Sequence, residues 1–196
     1  MGEQSKYELT TESIRWYNRT LYRIRALRDF ADVKAGEVGG FVKSEKNLDQ
    51  EGSCWIYDNA KVCGNSFVTD SAKICGEAIV CGDDAKISEQ AAICDNAVIV
   101  GNPCVYGNAS IINHAKVVSE VRIFESAVIS DNATISGAAT IHGNAKVCAN
   151  AFVSDNAEIY ENAVIGECAT VLENVVVCGN AELTGRIFVG TRKIKE

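Results

Sequence analysis

From Cys54 to Arg192 the chain repeats one six-residue pattern: a small residue, a variable one, an aliphatic one, a variable one, then a turn pair. Eighteen units run from Ala85-Lys86-Ile87-Ser88-Glu89-Gln90 to Arg192, and five earlier units, from Cys54 to Asp83, are set apart by one extra residue at Asp83-Asp84. The third position is Val or Ile in 22 of these 23 units, with Leu183 the exception, and the first position is Ala in 17. No helix has a period of six, and an alternating strand would need an apolar residue at every second place. A short strand followed by a corner meets both conditions. The corners are written as Asp58-Asn59, Gly64-Asn65, Asp95-Asn96, Gly143-Asn144 and Gly179-Asn180, pairs that tolerate positive φ or bond their own backbone.

If three corners close one turn of a prism, residue i lies beneath residue i+18, and strands pair from coil to coil at a spacing of ~4.8 Å. The pattern therefore predicts an all-β solenoid of about eight coils, roughly 37 Å tall. Val and Ile fill the inside and Ala packs at the corners. Each coil buries its aliphatics only against its neighbours, so the ends need covering.

The step from an aliphatic residue to a small one four places on, as from Val62 to Ser66 or Ile129 to Ala133, resembles the hexapeptide-repeat family of left-handed parallel β-helices. The left hand is implied by that resemblance alone, since the general rule for parallel crossovers favours the opposite one. Leu21-Tyr22-Arg23-Ile24-Arg25-Ala26-Leu27, Gly39-Gly40-Phe41-Val42, Glu45-Lys46-Asn47-Leu48 and Trp55-Ile56-Tyr57-Asp58-Asn59-Ala60 are similar to a set of bacterial and phage proteins often labelled acyltransferases. The resemblance implies a homotrimer and, for phage-borne members, action on a host system through a sequestered signal or a blocked complex. It also implies an alternative, a CoA-dependent acyltransferase that uses acetyl-CoA and a histidine in the cleft between subunits. Fold likeness is a poor guide to activity.

Residues 1–53 precede the repeat as a small β cap, and residues 193–196 follow it as a tail. Disorder is expected at residues 1–5. Tyr7 to Thr10 and Thr20 to Leu27 read as strands, and Thr11 to Asn18 as a helical turn or a connection. Alternation places Tyr22, Ile24 and Ala26 on one face, suited to covering the first coil, and Arg23 and Arg25 on the other. With Arg15, Arg19 and Arg28 those two arginines are an anion-binding candidate; a solvated face paired with nearby carboxylates is the plainer expectation. Gly39-Gly40 marks a turn, and Trp55 and Tyr57, on either side of the inward Ile56, are expected to pack against the cap.

Sorting the outward positions by threes separates three faces. One carries Ile79, Cys81, Val98, Val100 and Val118 as an apolar strip. Another carries Tyr106, Phe124, His142 and Tyr160, each 18 residues after the last, with Arg122 beside Phe124; these side chains form a vertical ladder. Apolar stripes on the outside of a rod mark contact surfaces, and a closed homotrimer would cover them. A stacking platform for a planar ligand is the competing reading.

The net charge of −7 lies on the solenoid, because residues 1–53 carry nine basic and nine acidic side chains. That distribution argues against nucleic acid as a partner. Six of the nine cysteines, Cys63, Cys75, Cys81, Cys94, Cys148 and Cys178, fall at the outward fourth position. Cys63 lies under Cys81 and Cys75 under Cys94, at a spacing a disulfide can span, but parallel side chains in a ladder point alike and free thiols are expected. Free thiols, with neither a signal peptide nor a long apolar run, predict a cytoplasmic protein with no membrane partner. No CxxC pair occurs, and two histidines cannot supply three imidazoles, so no metal site is expected.

Only His114 and His142 are candidates for a general base. His114 stands at a sixth position between Asn96 and Asn132 of its column, where a turn residue at positive φ is the simpler account. His142 belongs to the aromatic ladder. Lysines two residues from Cys63, Cys75 and Cys148 share their faces but do not by themselves activate a thiol. From Ala85 onward no corner is read as extruding the loop that hexapeptide acyltransferases usually carry. The function expected is therefore a non-enzymatic, trimeric β-helix scaffold, without a cofactor, that binds a protein partner or a small anionic or planar ligand at subunit clefts.

Overall fold

The computed structural model describes residues 5–196, so most of the stretch expected to be disordered lies outside the described residues. The fold is a parallel β-solenoid, and among the described residues no α-helix occurs. Three walls rise together. The second wall stacks eight strands, from Trp55–Ile56 to Glu182–Leu183, and the third stacks eight, from Phe67–Val68 to Thr191–Lys195. The first wall continues into the cap: β1 (Tyr7–Trp16) and β2 (Arg19–Ala26) form an antiparallel hairpin, and β2 pairs antiparallel with β3 (Val38–Val42). β3 in turn pairs parallel with Lys61–Gly64. A bridge from Leu48 to Val68 places the end of the cap under the third wall, so a partial coil already exists before Cys54.

The residue pattern accounts for this packing directly. The inward third-position residues from Ile56 to Val177 are fully buried, and the first-position alanines are buried at the corners. Each inward valine or isoleucine stabilises the rod by about 1.5–3 kcal/mol relative to an exposed one. At all but two corners, those of Gly82 and Thr191, a positive φ falls on the fifth residue, such as Asp58, Asp95, Asn113, Glu125 or Asp155. Asn113, not His114, therefore takes the left-handed conformation, and His114 is simply the exposed residue after it.

The corners also explain where the acid went. Eight fifth-position carboxylates, among them Asp58, Asp95, Glu125 and Asp155, each accept a hydrogen bond from the backbone N–H of the corner residue in the next coil. Asn144, Asn162 and Asn180 form a matching side-chain ladder at the sixth position. The carboxylate bonds satisfy corner amides that have no strand partner.

Several expectations are corrected. Thr11 to Asn18 is not helical: β1 runs through to Trp16, and only Tyr17 and Asn18 make the turn. Tyr22 does not face inward with Ile24 and Ala26, but is 37% exposed. The hairpin crosses the rim of the first wall, so its two sides exchange environments along its length. Near Ala26 one side covers the bottom of the tube; near Leu21 the opposite side is buried against Phe41 and Cys63 on the outer surface.

The last repeat unit is out of register. Phe188 pairs with Val171 and packs inward, while Val189, which the six-residue count places inside, is 43% exposed. The strand Thr191–Lys195 then pairs with Asn174–Cys178, so residues 193–196 are not a separate tail. Finally, four cysteines are not free thiols: disulfides join Cys63 to Cys81 and Cys75 to Cys94, at Cα separations of 4.6 and 4.5 Å. Stacked side chains need rotate only about χ1 to meet, a freedom that the argument from parallel directions neglects. Two stapled pairs remove the free-thiol premise for a reducing compartment. Among the described residues no helix is long and apolar enough to cross a membrane.

Trp55 is fully buried, edge-on to Tyr7 and Phe30 at ring separations of 6.2 and 5.4 Å. The Tyr7 hydroxyl donates to the carbonyls of Glu45 and Leu48, and the buried Lys6 ammonium donates to those of Glu51 and Cys54. The bottom of the tube is thus closed by aromatic packing and donors aimed at loop carbonyls. Tyr57 lies outside and donates to Asp32, which also meets Lys73. Those two bonds hold the Asp32 carboxyl below its ordinary range, the tyrosine bond contributing most.

Candidate functional site

Two outer surfaces carry more than solvated polar residues. On the third wall, in-register pairing of Cys104 with Arg122, Arg122 with Thr140 and Thr140 with Glu158 brings the fourth positions directly above one another. Tyr106, Phe124, His142 and Tyr160 consequently stack at ring separations of 4.9, 4.8 and 5.1 Å, tilted from parallel by 2°, 5° and 9°. Their faces cover one another, and their edges point outward.

The imidazole of His142 is built into this column. Its side chain is 22% exposed, Nε2 lies 3.3 Å from the Glu158 carboxylate, and Nδ1 lies 3.7 Å from that of Glu125. The top ring is held by Lys193, which donates to the Tyr160 hydroxyl at 2.8 Å and sits 5.5 Å from its ring centre; that bond is the main reason its ammonium pKa is raised. Arg122 is an exposed neighbour of the column. His114 sits apart from it at a corner, so the two histidines occupy different parts of the rod.

On the first wall the apolar strip is present as longer strands, Ile79–Gly82, Val98–Gly101 and Lys116–Ser119. Pairing sets Ile79 beside Val98, and Cys81 beside Val100 beside Val118. Val100 is 43% exposed. The hairpin tip leans over the lower end of this strip and forms a groove of about 570 Å³, with Trp16, Tyr17 and Arg19 on one side and Ile79, Val98 and Val100 on the other. A groove of that size suits a small molecule.

The guanidinium of Arg19 reaches the disulfide on the groove floor, 2.8 Å from Cys81 Sγ and 3.7 Å from Cys63 Sγ. Among the described residues it has no carboxylate within ion-pair distance. Lys61, on the same face, is fixed by Glu77 and the Asn59 carbonyl, and lies 5.1 Å from the Trp16 ring. Sequence reasoning missed Trp16 and Arg19 as groove residues. The alternation Ile14-Arg15-Trp16 followed by Asn18 was the available signal for a hairpin.

Arg23 and Arg25 are engaged elsewhere. Arg23 lies 4.0 Å from the Phe41 ring centre, pairs with Glu12 at 2.9 Å and donates to the carbonyls of Gly39 and Asp58. Arg25 pairs with Glu8. Their positive charge is matched, and they do not converge with Arg19. Among the described residues no cluster of three or more His, Cys, Asp or Glu side chains is arranged to hold a metal ion.

The comparisons with known proteins agree with the architecture. Residues 127–143, the coil segment that includes His142, match a family model described as YdcK Beta solenoid repeat. A stretch of 52 residues is 48% identical to the Escherichia coli (strain K12) protein named "Uncharacterized acetyltransferase YdcK". That stretch is 26% of this chain and spans only 16% of the relative's length. In fold and repeat the chain thus resembles hexapeptide-repeat β-helix proteins that carry an acyltransferase label.

Proposed function

We propose that the chain is a non-enzymatic assembly scaffold whose copies associate, as a homotrimer, through the aromatic column of the third wall. The observation that carries this reading is the column itself: four in-register rings with outward edges, on a wall where, among the described residues, no other element of the fold covers them. Aromatic edges presented together are an efficient contact surface, because they bury large area at little entropic cost. The smooth corners support the same reading, since among the described residues no loop rises beside His142 to shape a substrate pocket.

The test is the mass of the assembly. Wild type should run as a trimer by light scattering, and Phe124→Asp should disperse it to monomers while the β spectrum is kept. An unchanged mass would remove the column from the interface. A host protein or a planar or anionic ligand bound at the clefts of such a ring is the finer form of this proposal.

A second reading is favoured by one contact. The approach of His142 Nε2 to Glu158 is the arrangement that orients a general base, and the relative carries an acetyltransferase name. In that reading the chain is a CoA-dependent acyltransferase with His142 as the base. Calorimetry with acetyl-CoA separates the two: the scaffold reading expects no heat, and saturable binding lost in His142→Ala would favour the enzyme.

A further inference from the structure

The two disulfides are built alike but surrounded differently. Cys75 and Cys94 lie half-exposed on the open second wall, where the nearby Lys73 is engaged by Asp32. Cys63 is fully buried beneath the hairpin, whereas Cys81 is half-exposed and lines the groove. Cys81 lies directly above Cys63 along the rod, and Val100 lies directly above Cys81. The line of the S–S bond, continued past Cys81, therefore points toward Val100 and the groove. Displacement at sulfur requires approach along that line, so the groove offers access to one sulfur and not the other.

We propose that Cys63–Cys81 is a thiol-exchange site, and that the groove admits a low-molecular-weight thiol carried on an apolar body. The incoming thiol first loses its proton to solvent. Its thiolate attacks Cys81 Sγ, a new S–S bond forms there, and the Cys63–Cys81 bond breaks with both electrons passing to Cys63 Sγ. No separate oxidant or reductant is consumed. Arg19 has two roles in this step: its charge attracts the thiolate to Cys81, and it faces the developing Cys63 thiolate. A neighbouring cation lowers a thiol's pKa, and a leaving thiol of lower pKa departs faster. Ile79, Val98 and Val100 favour an apolar body, and Asp83 at the rim disfavours a second negative charge on it. The step is reversible: Cys63 thiolate attacks Cys81 Sγ and expels the guest. The inference stands independently of the assembly proposed for the third wall.

Benzyl mercaptan is a suitable probe, with glutathione as the polar, anionic comparison. Folded, air-oxidised protein is exposed to each thiol at pH 8, quenched with acid, alkylated with N-ethylmaleimide and mapped by peptide mass spectrometry. The expected product carries benzyl mercaptan on Cys81 and maleimide on Cys63, forms before Cys75–Cys94 opens, and forms faster than the glutathione adduct. Arg19→Gln should slow it about threefold by removing the charge beside the leaving thiolate, and Val100→Glu should slow the apolar thiol while circular dichroism stays unchanged. The proposal fails if the adduct sits on Cys63, if Cys75–Cys94 opens first, if neither variant changes the rate, or if Cys63 and Cys81 are alkylated with no thiol added.

Discussion

Gly64 shows how little room a corner leaves. Its φ is +71°, and an added Cβ would meet the Gly82 carbonyl oxygen of the coil above at 2.0 Å. Gly64→Ala must therefore adopt a left-handed conformation and also push two coils apart. A cost of about 1–3 kcal/mol for the backbone and a similar amount for overpacking should show as a lower urea midpoint. The same substitution at Gly166, where the nearest atom to a new Cβ is Cys148 Sγ at 3.6 Å, should leave the midpoint almost unchanged. Charge is placed with equal care at Glu77. Its carboxylate accepts from Asn59 at 2.8 Å and from Lys61 at 3.0 Å, and these bonds hold its pKa below the ordinary carboxylate value. A depressed folded pKa adds stability above the unfolded pKa of about 4.3, and that stability is lost as pH falls through the folded value. Wild type should thus lose more stability than Glu77→Gln between pH 5 and about pH 3, as measured by thermal melts across that interval.

At the scale of elements, the second wall is tied from coil to coil by Cys75–Cys94, which encloses a loop of sequence separation 19. Cys75→Ser should lower stability by about 3 kcal/mol, the loop-closure value for that size, in denaturant melts without reductant, and dithiothreitol should abolish the difference from wild type. The walls themselves were legible in the sequence because one residue in six performs the same task throughout: Ile87 and Ile159 meet the same neighbours, so local pattern and tertiary contact coincide. The ladder from Tyr106 to Tyr160 was legible for the same reason. The groove was not. Whether Trp16 and Arg19 point to solvent or over Cys81 depends on how the hairpin crosses the rim of the first wall, and no local pattern encodes that crossing. The slip near the end was hidden by Phe188 and Val189, adjacent apolar residues either of which could fill the inward position.

For the whole molecule, stability is a sum over like neighbours, so length should be adjustable at least cost in whole coils, which keep every outer ladder in place. Removing residues 127–144 deletes one complete turn and joins Ser126 to Ala145, with Tyr160 now resting on Phe124. That variant should keep the β spectrum and unfold cooperatively at a somewhat lower temperature. Removing residues 127–138 takes out two units and keeps the six-residue phase, but moves each later outer side chain to a different wall, so that Tyr160 no longer lies above Phe124. It should melt at a lower temperature than the 18-residue deletion. If both deletions melt alike, the outer ladders add nothing to the stacking.

The carboxylates at the corners are bound within the rod. Each of the eight is occupied by the amide of the coil above, so a substantial part of the acid on the rod is mortar between courses. Recharging those edges to alter solubility would strip backbone groups of their partners. What looks from outside like an electrostatic coat is here a by-product of masonry.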